Sequence, residues 1–294
     1  MTDIIKEKFP GVITQEPLSK HTTFKIGGPA EFFYKSKTTD DLIKAIKTAR
    51  ELDLPILLLG KGSNILVSDD GIKGLVICLE TEGIEREGSK VIVEAGLLLG
   101  RLVDWTINNS LAGLEFASGI PGSVGGGIRG NAGAFGFELK DSLESVEALT
   151  PDNRRITLTK DECKFGYRDS IFKHTDDIVL TATFNLQQGD KEKSQALVKK
   201  YALHRASRQD YSIPSAGCTF KNIPDQPIGK MVEDLGLKGK RIGGAMISET
   251  HGNFIVNKGQ AKAQDVVDLI NLVKEKVKVK YQIDLETEIQ LVGF

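Results

Sequence analysis

The chain has 294 residues, enough for more than one lobe and a substantial core. Its 39 basic and 40 acidic side chains nearly cancel, so no whole-chain field draws it to nucleic acid or to an anionic membrane. Cys78, Cys163 and Cys218 are far apart and odd in number, which argues against a disulfide framework. Residues 1–8 hold no apolar signal core, and no apolar run approaches the roughly 20 residues of a membrane span. A reducing cytoplasm is the expected setting.

In chain order, residues 38–53 predict a helix with Leu42, Ile46, Ala49 and Leu52 on one face. Strand Ile56–Leu59 follows, then the loop Gly60-Lys61-Gly62-Ser63-Asn64, then strand Ile65–Val67 and, after the turn Asp70-Gly71, strand Leu75–Leu79. Val91–Val93 reads as a strand and Leu98–Asn109 as a helix. Ser145–Leu149, Arg155–Leu158 and Ile178–Leu186 read as antiparallel strands, the first two joined at Pro151-Asp152-Asn153. Asp190–Arg208 is a polar helical connector and the best domain boundary. Beyond it a strand near Cys218–Lys221, a helix Ile228–Leu235, strands Ala245–Ser248 and Phe254–Val256, a helix Ala263–Val279 and a last strand Leu285–Val292 describe a separate α+β lobe.

The stretch Gly119–Gly136 carries the strongest chemical signal. Without a Cβ, backbone N–H groups come close to a bound group, and consecutive free amides favour anions, phosphate above all. Gly125-Gly126-Gly127-Ile128-Arg129-Gly130 satisfies G-x-G-x-x-G, yet no strand pattern precedes it and a poor helix former follows, so a Rossmann fingerprint is disfavoured. The loop at Gly60 lacks the spacing of a P-loop. Two phosphate-friendly loops suggest a dinucleotide gripped from two sides; the bland alternatives are two tight surface turns.

Tyr167-Arg168-Asp169-Ser170 offers an arginine able to pair bidentately with a carboxylate or phosphate, or merely a surface arginine. Pro214–Asn222 combines a small-residue turn with Cys218, Lys221 and Asn222; its alternative is a buried thiol serving as a small apolar group. Glu286 and Glu288 alternate with Leu285, which on a strand puts both carboxylates on one side. His21, His174, His204 and His251 have no metal-ligand spacing, so no metal is expected.

Taken in order, these motifs resemble the UDP-N-acetylenolpyruvoylglucosamine reductase family over nearly the whole chain. The resemblance rests on Thr23–Ala30, Leu59–Leu66, Gly119–Gly136, Tyr167–Ser170, Gly217–Asn222, Gly229–Gly239, His251–Asn257 and Leu285–Gly293. It implies an α+β chain: a two-lobed FAD-binding domain of the para-cresol methylhydroxylase type (1–85 and 86–190) and a C-terminal substrate-binding domain (191–294). It implies non-covalent FAD reduced by NADPH. Hydride then passes from flavin N5 to the enolpyruvyl double bond of UDP-N-acetylglucosamine enolpyruvate, giving UDP-N-acetylmuramate for peptidoglycan synthesis, in a cytoplasmic monomer with no nucleic-acid or membrane partner.

By motif, the resemblance makes Arg168, Cys218 and Glu288 catalytic. Arg168 and Glu288 would stabilise the enolate-like carboxylate, and Cys218 would deliver the proton. Gly60, Lys61, Gly62, Ser63, Asn64, Ile120, Pro121, Gly122, Ser123, Gly125, Gly126, Asn131 and Gly133 would hold the cofactor, and Tyr167, Lys221, Asn222 and Lys230 the substrate. An ionised Glu288 cannot stabilise negative charge, so it must act protonated, through water or through Arg168. The chain departs from the family in three places: Cys218 replaces the usual serine, Ile223 the proline after Lys-Asn, and Arg208-Gln209-Asp210 a Gln-Pro pattern. A free thiol, with pKa about 8.5, is an adequate acid at neutral pH. The spacing between Arg168 and Cys218 leaves little room for the extra substrate-covering insertion of some members. The rivals are a FAD-dependent oxidase of the same fold acting on a hydroxy acid or sugar, and a nucleotide-binding protein without chemistry.

Overall fold

The computed structural model describes residues 2–208 and 212–294, so Gln209 and Asp210 lie outside the described residues. The chain divides into two compact units that interleave along the sequence. The first comprises Met1–Val12, Tyr34–Gly60 and Ile77–His204; the second comprises Ile13–Phe33, Lys61–Val76 and Arg205–Phe294. The chain crosses between units inside strand Pro29–Ser36 and again inside strand Ile72–Leu79.

The first unit is built on a five-stranded antiparallel sheet. Its order is Arg155–Thr159, Leu143–Leu149, Ile178–Asn185, Lys90–Glu94, Ile84–Glu87. The edge strand Ile84–Glu87 was not expected, because three of its four residues are exposed and it carries no alternating apolar face. Val91, Val93, Val146, Ala148, Ala182 and Phe184 point inward and are buried against Leu99, Leu102, Val103 and Ile107 of helix Leu99–Asn108. Helix Thr39–Glu51 begins where the sequence indicated: the Thr38 hydroxyl accepts the Asp41 N–H, and Asp40 and Asp41 suit the positive end of the helix dipole. Helix Lys191–Ala206 is polar, but Val198 and Tyr201 pack on the core of this unit.

A short helix, Val124–Arg129, runs through the triple glycine, against its low propensity. Ser123 caps it, accepting from Gly126 N–H. Gly125 and Gly127 are buried: a Cβ at Gly125 would stand 2.9 Å from Ala95 Cβ, and one at Gly127 2.7 Å from Leu139 Cδ1. Gly126 is exposed. Two of the three glycines therefore let the helix lie close against Ala95 and Leu139.

The second unit has an antiparallel sheet in the order Ser215–Cys218, Phe254–Asn257, Ala245–Ile247, Arg241–Ile242. Helix Ala263–Tyr281 covers it with Val266, Leu269, Ile270, Val273 and Val277, the stripe a 3.6-residue period predicts. The N-terminus of this helix is tied to the first part of the chain, where Asp69 Oδ2 accepts the Ala263 N–H at 2.8 Å. Strand Gln290–Val292 pairs in parallel with Ile65–Val67. The predicted strand Leu285–Val292 is thus shorter than expected. Glu286 and Glu288 precede it, flanking Thr287, which forms an isolated bridge with Phe220.

Phe184 is fully buried in the first unit. Phe184→Ala should lower unfolding free energy by about 3–5 kcal/mol in chemical denaturation, the usual cost of an aromatic cavity.

Candidate active site

In the first glycine loop the geometry requires glycine at two positions. Gly60 lies against Ser123: a Cβ there would be 2.4 Å from the serine Oγ. Gly62 has φ +60°, and a Cβ would meet His21 O at 2.4 Å. The Gly62 carbonyl accepts the Thr23 N–H at 3.1 Å, so the Thr23–Ala30 motif braces the loop from below. The amides of Lys61, Gly62 and Asn64 have no acceptor among the described residues. In the second loop the amides of Gly119 and Gly122 likewise have none. Ile120 packs on the core of the first unit, and Pro121 is exposed beside it. Unpaired amides in a glycine-built loop suit an anionic group, so each loop fits a phosphate-bearing cofactor.

Asn64 also reaches the far end of the chain. Its Nδ2 donates to Glu288 O at 3.2 Å across 224 positions, and its carbonyl accepts the Gln290 N–H at 3.0 Å. Glu288 N–H in turn donates to Thr219 O at 2.8 Å, one residue from Cys218. Thr219 N–H donates to Asn253 O, and the Asn253 carboxamide spans both backbone groups of Phe220. Cys218 sits at the end of strand Ser215–Cys218, after a bulge at Ala216-Gly217 where Gly217 has φ +77°. The structure therefore brings Asn64, Cys218 and Glu288 together within one unit, with Cys218 and Glu288 both half-buried.

Glu286 and Glu288 flank Thr287, which bridges Phe220, and they differ in exposure. Glu286 is exposed and pairs with Lys221 Nζ at 2.5 Å, whereas Glu288 is half-buried, its backbone bonded to Asn64 and Thr219. Lys221 is accordingly turned toward Glu286. Asn222 and Lys230 instead line an open cleft of about 490 Å³ with Arg208, Lys238 and His251. Lys230 pairs with Asp234 at 2.9 Å, and that hydrogen bond raises its pKa.

His251 has no metal-ligand spacing in the sequence, yet it is the titratable ring of this cleft. Burial, followed by the neighbouring Lys238 and Arg208 charges, lowers its pKa. Its Nδ1 accepts the Asn253 N–H at 3.2 Å, which assigns the proton of the neutral ring to Nε2. The only signal in the sequence was its place between two polar residues and a strand.

In the first unit, Arg168 sits at φ +54° in the turn Gly166–Asp169. Its guanidinium donates to Gly133 O at 2.8 Å and lies 5.0 Å from the centre of the exposed Tyr167 ring. Gly133 opens a tight hairpin, Gly133–Ala134 with Phe137–Glu138, whose tip residue Phe135 stacks on Tyr201 at 4.0 Å. The Asn131 side chain is wholly buried and engaged with protein groups.

Residues 30–159 match the family described as FAD binding domain, and residues 208–292 match UDP-N-acetylenolpyruvoylglucosamine reductase, C-terminal domain. Over its full length the chain is 41% identical to the UDP-N-acetylenolpyruvoylglucosamine reductase of Caldanaerobacter subterraneus, covering 99% of that protein. It belongs to the UDP-N-acetylenolpyruvoylglucosamine reductase family. A Lactobacillus acidophilus reductase of the same name is 41% identical over 98% of this chain and 97% of its own. The crystal structure of the Thermus caldophilus reductase superposes with a TM-score of 0.82 at 36% identity, covering 96% of this chain and 98% of that one. The α+β expectation of a FAD-binding domain followed by the C-terminal domain of these reductases holds, and membership of the reductase family disfavours the oxidase alternative. Among the described residues no helix is long and apolar enough to cross a membrane.

Two measurements follow. Gly62→Ala forces a side chain into a left-handed residue against His21 O. It should weaken FAD retention at least about tenfold, read by flavin titration, with backbone strain of roughly 1–3 kcal/mol as the cause. His251, whose folded pKa lies below its unfolded value, binds its proton more readily in the unfolded chain. Its contribution is therefore present above about pH 6.5 and is lost as the pH falls through its folded pKa. Denaturation midpoints at pH 7.5 and pH 5 should differ less for His251→Gln than for the unchanged protein.

Proposed function

We propose that the chain reduces the enolpyruvyl double bond of UDP-N-acetylglucosamine enolpyruvate to UDP-N-acetylmuramate, using NADPH as reductant. The observation that carries this reading is membership of this reductase family, supported by the hydrogen bonds that tie the Glu288 backbone to Asn64 and to Thr219, the residue after Cys218. FAD, when bound, supplies the hydride. Gly60, Lys61, Gly62, Ser63 and Asn64 would hold it from one loop. Ile120, Pro121, Gly122, Ser123, Gly125, Gly126, Asn131 and Gly133 would hold it from the other, mostly through backbone and at Asn131 through backbone alone.

The chain's own residues handle the charge and the proton. Hydride addition to one alkene carbon pushes electron density toward the carboxylate on the other, and the fixed guanidinium of Arg168 stabilises that charge. Glu288, in its acid form, donates to the same developing charge. The Cys218 thiol gives its proton to the adjacent carbon, completing a two-electron reduction, and the thiolate is reprotonated from solvent. Tyr167, Lys221, Asn222 and Lys230 bind the substrate, with Asn222 and Lys230 acting in the open cleft. By role, 1–85 and 86–190 would serve the flavin and 191–294 the substrate, a division that cuts across the two interleaved compact units. The setting is peptidoglycan precursor synthesis, and through it cell shape, division and the cell cycle, by a cytoplasmic monomer.

In steady-state assays with this substrate, Cys218→Ser should keep kcat within about tenfold, roughly 1.4 kcal/mol of barrier. Cys218→Ala should lose far more, and equal rates for Cys218→Ala and the unchanged enzyme would remove Cys218 from the mechanism.

A further inference from the structure

Three links join residues 129–133, which continue the second glycine loop, to the turn that carries Arg168. Ser170 Oγ donates to Arg129 O at 2.8 Å, Asn131 Nδ2 donates to Gly166 O at 2.9 Å, and the Arg168 guanidinium donates to Gly133 O at 2.8 Å. The links alternate along the segment at positions 129, 131 and 133. Asn131 is central. It has no exposed surface, stands at φ +41°, and its Oδ1 accepts the Lys140 N–H at 3.3 Å.

A left-handed residue with one side-chain donor and one acceptor is a demand that asparagine meets with least strain. Gly166 O takes two donors, Asn131 Nδ2 and the Asp169 N–H at 3.3 Å, and so fixes the turn in which Tyr167 and Arg168 are the central residues. From outside, Lys173 Nζ donates to Arg168 O, and Asp169 pairs with His174 at 2.9 Å. The backbone of Arg168 is thus pinned on both sides, and its left-handed φ is held by the links rather than by preference.

We propose that Asn131 is a positioning residue for Arg168: it transmits the placement of the second glycine loop to the guanidinium that meets the developing carboxylate charge. The inference rests on the reading of Arg168 given above. Asn131 then contributes no side-chain contact to the cofactor, because both ends of its carboxamide are occupied by protein. Asn131→Asp preserves shape and acceptor but removes the donor to Gly166 O, and faces that carbonyl with an oxygen instead.

The test uses the FAD-loaded enzyme and separates the two half-reactions by rapid mixing. Reduction by NADPH is followed first, then reoxidation by UDP-N-acetylglucosamine enolpyruvate without oxygen. Asn131→Asp should slow reoxidation about 10- to 100-fold and change reduction by less than about threefold, with FAD content retained. Combined with Arg168→Ala, it should add no more than about a twofold loss, because the two residues act as one unit. Ser170→Ala, which cuts the neighbouring link, should slow reoxidation about 3- to 10-fold and carries the test should Asn131→Asp fail to fold. Equal slowing of both half-reactions, or multiplying losses in the double variant, overturns the assignment. Loss of FAD with an unchanged rate in the loaded fraction overturns it too and makes Asn131 a cofactor contact. Arg168→Ala that reoxidises at the unchanged rate overturns instead the functional reading of Arg168.

Discussion

The parallel pairing of Gln290–Val292 with Ile65–Val67 is the constraint on which the second unit depends. It closes a loop of more than two hundred residues, whose chain entropy only a large buried core can offset. A cluster of buried side chains drawn from Phe24 to Ile289 supplies that core. Once the pairing forms, Asn64 meets the Glu288 carbonyl, and the Glu288 amide meets Thr219. The first glycine loop, the backbone of Glu288 and the end of strand Ser215–Cys218 are then joined by backbone hydrogen bonds and one carboxamide.

The first unit solves a similar problem by other means. Its glycine-rich segment is a helix because Ser123 caps it and because two of its glycines let it lie close to Ala95 and Leu139. Beyond the helix, alternate residues hold the Arg168 turn at three points. The polar side chains buried there, Asn131 and Ser170, both have partners, as interior polar groups must.

Local structure was largely legible in the sequence. Helices Thr39–Glu51, Leu99–Asn108, Ile228–Asp234 and Ala263–Tyr281 follow from apolar spacing, and the hairpin at Pro151-Asp152-Asn153 from turn chemistry. Three features were not. Helix Val124–Arg129 contradicts the propensity of its own residues, because packing rather than preference decides it. Strand Leu285–Val292 shrank to three residues, because alternation shows which residues could pair and not whether a partner lies alongside. The interleaving of the two units depends on long-range contacts with no local signature. At the site, glycine density showed where backbone comes close to a ligand or to a neighbour but did not separate the two. Gly62 and Gly126 look alike in sequence, yet one is buried under His21 and the other open.

The central claim is that a flavin held by this chain gives its hydride to an enolpyruvyl group. The most direct measurement reduces the purified flavoprotein with one equivalent of NADPH in the absence of oxygen, adds UDP-N-acetylglucosamine enolpyruvate, and follows the visible flavin band. The account predicts a rapid return of the oxidised spectrum with formation of UDP-N-acetylmuramate. A flavin that stays reduced with this substrate and reoxidises only with oxygen would contradict it.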